Sequence, residues 1–394
     1  MKKILALLAA SLSVAACIYP YDPELDEAPE GVLSVDANIC IGGTSTVRLG
    51  TLISMWDRSG SGWVDLFGAH VWVEDEAGNT YEGKPGYPDM VYGINYMMSL
   101  PFFTIDTENA PLDRRYRLRI DALGESYESD WSECIDPPVI REIGFVADEE
   151  KVTVNVSVDG GESGTGYVLL TYEEDWMFHV DYFPSYVVVH DEEADTWDVM
   201  EGSSDFSKYW CFRSTKSNRT VPVDYTGRTE DGFTDFPLLS FARKDNRNQR
   251  RYCVSVKAST ISRETYRFIH NLDENSEGGD NLFTPNPGEI AGNLHCESNP
   301  EKSVLGYAIF SRAATRRAYL DSSFYIPLPV YPLLYPLPDN YGYLYQSGFL
   351  PLEEHLGEYD TTKEGPYGWG PQYCYDCTAA GGTLEKPDFW SETE

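Results

Sequence analysis

Lys151-Val-Thr-Val-Asn-Val-Ser-Val158 alternates apolar and polar residues without a break, the pattern of a strand buried on one face. A helix would scatter those four valines around its circumference. The same period of two runs through Leu33, Val35, Ala37, Ile39 and Ile41, and through Arg115-Tyr-Arg-Leu-Arg-Ile-Asp121. Thr46 to Ile53 follows a Gly42-Gly43 break, and His70 to Glu76 turns at Ala-Gly-Asn79 into Thr-Tyr-Glu82 as a hairpin. Glu125 to Trp131 returns beside residues 115–121. Short strands separated by Gly and Asn turns predict an immunoglobulin-like β-sandwich over residues 32–138, closing at the stiff Asp136-Pro137-Pro138.

Residues 139–394 read as a larger β-rich domain. After residues 151–158 come strands at Tyr167 to Tyr172, Tyr186 to His190, Tyr209 to Arg213, Arg251 to Ala258 and Val304 to Arg312. In residues 251–258 Tyr252, Val254, Val256 and Ala258 share one face, and Cys253 points the other way. One amphipathic helix is predicted over about 262–275. Ile261, Thr265, Phe268, Ile269 and Leu272 fall at helical spacing, Ser262 caps the start, and Gly278-Gly279 ends it. The whole chain is therefore mostly β. Tyr325-Ile-Pro-Leu-Pro-Val-Tyr-Pro-Leu-Leu-Tyr-Pro-Leu-Pro338 stands apart, because its five prolines forbid a helix or a central strand. This apolar stretch, continuing to residue 345, reads either as a binding surface or as a lid on the second core. Its tyrosines, Tyr325, Tyr331, Tyr335, Tyr341, Tyr343 and Tyr345, are the binding-surface candidates.

The first residues set the compartment. Lys2 and Lys3 precede an apolar run from Ile4 to Ala15, too short to span a bilayer, and Val14-Ala15-Ala16-Cys17 looks like a lipobox. Residues 1–16 read as a lipoprotein signal peptide and Cys17 as the lipidated first residue of the mature chain. Residues 17–31, with three prolines and five acids, form a tether that reaches roughly 45 Å at about 3.3 Å per residue. With Lys2 and Lys3 removed, 64 acidic side chains face 28 basic ones. Such a chain is a poor nucleic-acid binder, because phosphate neutralisation needs clustered cations.

Eight cysteines leave seven after lipidation, an odd number for an oxidising compartment. Cys374-Tyr-Asp-Cys377 is the one close pair. A zinc site wants a second pair, and redox chemistry wants a thioredoxin-like context; neither is present, so a short Cys374–Cys377 disulfide is expected. No catalytic serine elbow, no metalloprotease His pair and no phosphate loop occurs. His190-Asp-Glu-Glu193 with Asp195 has the acids to hold a hard cation, and Asp273-Glu-Asn-Ser-Glu-Gly278 fits the opening half of a calcium loop, with Thr284 where a bidentate Glu would stand. They read more simply as a solvated turn and a helix end. No metal and no cofactor is expected.

Ser259-Thr-Ile-Ser-Arg-Glu-Thr-Tyr-Arg-Phe268, Asn275-Ser-Glu-Gly-Gly279 and Pro287-Gly-Glu-Ile-Ala-Gly-Asn-Leu294 carry a family likeness. So do Asn299-Pro-Glu-Lys-Ser-Val-Leu-Gly-Tyr307, Arg316-Arg-Ala-Tyr319, Cys374-Tyr-Asp-Cys-Thr378 and Gly381-Gly-Thr-Leu-Glu-Lys-Pro-Asp-Phe-Trp390. On these residues the chain resembles the Bacteroidota outer-membrane lipoproteins known as domain of unknown function 4249. The Pro/Tyr stretch and Cys40 look atypical of that family. The resemblance implies a surface lipoprotein encoded beside TonB-dependent outer-membrane transporters, and brings no enzymatic residues.

The expected function is that of a surface-exposed, lipid-anchored, non-enzymatic accessory of such a transporter, binding the transporter, a glycan or peptide ligand, or both. Two rival classes are a surface hydrolase of glycan or peptide, and an adhesion or structural protein. Asp360-Thr-Thr362 resembles a Bacteroidota O-glycosylation site and fits any exposed chain.

Overall fold

The protein is described by a computed structural model over residues 32–52, 66, 68–86, 101–160, 165–217, 219–228, 231–277, 292–355 and 360–390. The signal sequence, Cys17 and the tether lie outside the described residues, as do Gly278-Gly279 and most of Pro287 to Leu294. The first strands are β1 (Leu33–Cys40), β2 (Thr44–Thr51), β3 (His70–Asp75) and β4 (Thr80–Gly86). Then come β5 (Phe102–Asp106), β6 (Arg115–Ala122), β7 (Glu125–Ser129), β8 (Ser132–Glu133), β9 (Val139–Ala147), β10 (Lys151–Asp159) and β11 (Tyr167–His179). β12 (Tyr186–Asp191), β13 (Thr196–Glu201), β14 (Trp210–Lys216), β15 (Val221–Asp224), β16 (Gly232–Ala242) and β17 (Arg251–Thr260) precede helix α1 (Arg263–Glu277). The chain finishes with β18 (Leu294–Cys296), β19 (Val304–Ser311), β20 (Ala313–Tyr319), helix α2 (Tyr341–Gln346), β21 (Phe349–Glu354) and β22 (Tyr367–Pro371).

Alternation decides the first core. Leu33, Val35, Ala37 and Ile39 of β1, Val47 and Leu49 of β2, and Tyr116, Leu118 and Ile120 of β6 all point inward and are buried. Their sheet runs in the order β18-β7-β6-β3-β4-β5-β2-β1-β19, with β8 on β6. Two of its strands come from far beyond residue 138. β19 runs parallel to β1, and β18 antiparallel to β7. The two ends of this path meet at Asn293, whose side chain holds both backbone groups of Ala308, at 2.8 and 2.9 Å, while its own carbonyl accepts from Asp130 N. The path therefore curls on itself around one core. Gly306 permits the close approach: it sits at φ +117°, and an added Cβ would lie 1.9 Å from Val35 O.

The second core lies between a three-stranded sheet, β16-β10-β9, and a five-stranded one, β14-β11-β17-β20 with β15 also on β11. Val152, Val154, Val156 and Val158 of β10 meet Tyr252, Val254, Val256 and Ala258 of β17 in it. Strand β11 is twice as long as its apolar run predicts, because one edge serves two short partners, β15 at residues 167–170 and β14 at residues 173–179. Arg312 alone separates β19 from β20, so the chain steps from one sheet into the other there, fixed by the Arg312–Asp136 ion pair.

Helix α1 begins where expected, with Ser262 Oγ accepting from Thr265 N at 3.1 Å. Phe268 and Ile269 bury against Tyr167 and Leu169 of β11 and Ile309 of β19, while Leu272 stays 45% exposed. A second, short helix, α2, was not anticipated within residues 325–345. It packs Tyr341 and Leu344 onto Val199 and Trp369 in a satellite core beside the β12–β13 and β21–β22 hairpins. The C-terminal Phe389-Trp390 is a latch. The Arg317 guanidinium lies 3.5 Å from the Phe389 ring centre, and Trp390 is buried among Arg251, Phe212 and Tyr319.

Candidate ligand pocket beneath the Pro/Tyr strap

Residues 325–337 cross the second unit as an extended strap, because alternate prolines deny them both helix and ladder. What holds the strap is its own few free backbone groups. Ile326 N donates to Asn248 O at 3.1 Å, and Tyr331 N to Asp181 Oδ2 at 2.8 Å. Leu334 exchanges two hydrogen bonds with Trp369, and Tyr182 OH donates to Tyr331 O. From the other side, Arg243 Nη1 donates to Phe324 O.

The turn that receives the strap is itself clamped to β11. Arg247 reaches Glu174 Oε1 at 2.8 Å and grips Asp245 through two nitrogens at 3.0 Å, with its guanidinium 4.5 Å from the Phe241 ring centre. Buried Tyr252 donates to the same Glu174 oxygen at 2.8 Å. Burial is the largest influence on Tyr252, and together with the Glu174 charge it drives the phenol well above its ordinary pKa. Glu174 is thus a carboxylate with fixed partners, and its role is to anchor residues 245–249.

Between strap and sheet lies a cavity of about 360 Å³, lined by His179, Asp181, Gln249, Tyr325, residues 326–328 and Val330. His179 Nδ1 lies 2.7 Å from Val180 O and so must carry the proton, which turns Nε2 into an acceptor in the neutral ring. Gln249 Oε1 accepts from His179 N at 3.0 Å, leaving its amide nitrogen as the available end. The His179 ring stacks on Tyr209 at 5.1 Å and meets the Trp210 edge at 4.8 Å, which fixes its plane. Burial first, and then neighbouring acids including Asp181, push Tyr182 up to about 12, so it stays a donor to the strap at neutral pH. Cys374 is raised to about 11 by burial and by Asp181, and is a protonated, unreactive thiol.

The six candidate tyrosines part company. Tyr325 lines the cavity, with its hydroxyl held by Leu320 O at 3.0 Å. Tyr331, next to lining residue Val330, meets Tyr373 edge-on at 5.4 Å. Tyr335 is tied to Glu353 at 2.5 Å, and burial and that carboxylate push it up to about 12. Tyr341 is a correction: at 2% exposure it is a core residue against Trp369 and offers no surface. Tyr343 and Tyr345 are exposed on α2, away from the cavity lining. Sequence reasoning missed His179, Asp181 and Gln249, and no local signal marks them, since His179 ends β11, Asp181 lies two residues beyond it, and Gln249 comes from a turn 70 residues after His179.

The expected Cys374–Cys377 bridge is also corrected. Cys377 bonds Cys211 of β14 instead, and Cys374 is buried and unpaired. Cys377 N donates to Lys208 O and Phe212 pairs with Thr383, so the C-terminal segment runs beside β14 and brings Cys377, not Cys374, to Cys211. The acids at residues 191–195 cap their own turn, with Asp191 Oδ1 accepting from Glu193 N and Ala194 N. Among the described residues no group of three His, Cys, Asp or Glu is placed to hold a metal ion, and no helix is long and apolar enough to cross a membrane.

The family model "Domain of unknown function (DUF4249)" matches residues 18–317. The chain belongs to this family. The match takes in the whole first sheet and most of the second unit, including the turn at residues 245–249, and ends before the strap. The stretch Asn299 to Tyr307 has a physical role in this chain, because Gly306 is a residue at which β19 is laid against β1. No curated protein matches the chain.

Proposed function

We propose that this DUF4249 protein is a surface-exposed outer-membrane lipoprotein of the Bacteroidota. In this reading Cys17 is lipidated, residues 17–31 are the tether, and the described residues bind a ligand beside a TonB-dependent transporter without catalysing a reaction. The first unit is read as an immunoglobulin-like sandwich, supported by the inward faces of β1, β2, β6 and β7 sharing one core. The observation that carries the binding role is the strap cavity. It is walled by apolar side chains, it presents a few convergent polar groups, and neither Tyr182 nor Cys374 beside it is activated for chemistry. Glycan and peptide are the two ligand classes considered.

Two experiments test this. Radiolabelled palmitate is expected to enter the wild-type chain and not Cys17→Ala. Affinity purification of a tagged chain from detergent-solubilised outer membranes is expected to recover a transporter in near-equal amount; recovering none sinks the partnership.

A further inference from the structure

We infer that the strap cavity takes one neutral sugar ring, a single pyranose residue of a glycan. This rests on reading the protein as a ligand binder and narrows the ligand to a chemical class. The cavity has two unlike sides. On one, Asp181 Oδ1, His179 Nε2 and the Gln249 amide nitrogen have no partner among the described residues, and so offer two acceptors and one donor. On the other, Pro327, Leu328, Val330 and the Tyr325 ring are apolar. A pyranose has the matching division, with hydroxyls around its edge that both donate and accept, and C–H faces that settle on apolar or aromatic surface.

The alternatives fit less well. An anionic ligand meets Asp181 with no lysine or arginine in the lining to offset it. An extended peptide would bind by adding backbone hydrogen bonds along an edge, but Pro327, Pro329 and Pro332 interrupt the strap's donors and Ile326 and Tyr331 have committed theirs to Asn248 and Asp181, so only Leu328 and Val330 are left in this part of the strap, too few for a ladder. An organic ammonium would have Asp181 as a counter-charge, but it wants several aromatic faces around it, and the lining supplies the Tyr325 ring and the His179 imidazole with no Trp or Phe. Size sets the number of rings. About 360 Å³ lies at the low end for small-molecule sites, enough for one residue with its hydration and not for a long chain of them.

The test uses the full mature chain with methyl glycosides of glucose, galactose, mannose and N-acetylglucosamine, read by saturation-transfer NMR and titration calorimetry. Glucuronate, glucosamine and a neutral tetrapeptide serve as competitors of other classes. At least one neutral glycoside is expected to bind, and at least tenfold more tightly than glucuronate. His179→Phe keeps the ring stacked on Tyr209 and removes Nε2; Gln249→Glu keeps the acceptor for His179 N and removes the amide donor. Each is expected to weaken binding at least fivefold, while Tyr343→Ala on α2 leaves it unchanged. No binding of any neutral glycoside by a chain that melts cooperatively overturns the inference. So does preferential binding of the tetrapeptide or of glucosamine, or sugar binding indifferent to both pocket substitutions. A chain that captures a transporter yet binds no sugar overturns this inference and leaves the partnership standing.

Discussion

Cys377 is disulfide-bonded to Cys211, 166 residues earlier, although Cys374 lies only three residues from it. The choice follows from chain direction, since residues 377–383 run against β14 and leave Cys374 buried close to Gly370 of β22. Non-reducing peptide mapping is expected to recover the 211–377 pair. Cys211→Ser is expected to cost about 2–5 kcal/mol, because the bridge closes a long loop in the unfolded chain. Cys374→Ala is expected to leave the bridge intact and cost about 1 kcal/mol. A 374–377 linkage in the mapped protein would refute the assignment.

Among the described residues, Arg247 is the one cation paired with buried Glu174, whose side chain is 7% exposed. Arg247→Ala strands that charge and is expected to cost about 3–5 kcal/mol in urea denaturation. Adding Glu174→Gln should recover a good part of the loss. If the double variant is no better than the single one, the anchor is not electrostatic.

Asp376, 3% exposed, gives an acid-limb prediction. Burial pushes its carboxyl up, but hydrogen bonds from Lys208, Thr378 and Gln372 outweigh it and hold the group at about 2. A folded-state pKa below the unfolded value of about 3.9 adds stability that is full above pH 4–5 and lost as pH falls towards 2. The shift corresponds to about 2–3 kcal/mol. Asp376→Asn should remove that amount at pH 7 and flatten the stability profile between about pH 4 and 2. An unchanged acid limb would contradict it.

Gly306→Ala places a methyl against Val35 O in a backbone conformation that L side chains rarely adopt. The expected loss is about 3 kcal/mol or more, read from the thermal midpoint. Gly348→Ala, also at positive φ but with open space around it, should cost less. Equal losses would mean that β19 does not lie this close to β1.

Local pattern carried the β assignment well. Residues 33–40, 115–122 and 151–158 alternate because one face meets a core, and each is a strand with the expected face inward. Ser262 marked its helix for an equally local reason. What failed was non-local. Nothing in Leu294–Cys296 says that it joins β7, and nothing near Cys374 reveals Cys211. The Pro/Tyr stretch could be recognised as unusual from composition, but its cavity depends on Asp181 and Asn248, from distant segments, which take the N–H groups of Tyr331 and Ile326. The helix at Tyr341 was hidden by the prolines just before it.

The seam at Asn293 and Gly306 also dictates an order of events. A chain made from the N-terminus has β1 to β7 in hand early, yet the edge of β1 stays unpaired until residue 311 has been delivered, some 270 residues after β1 ends. Until then β1 is an open, apolar-backed template for any passing strand. The first unit to appear is among the last to be finished, and a fragment cut at residue 138 should aggregate where the whole chain does not.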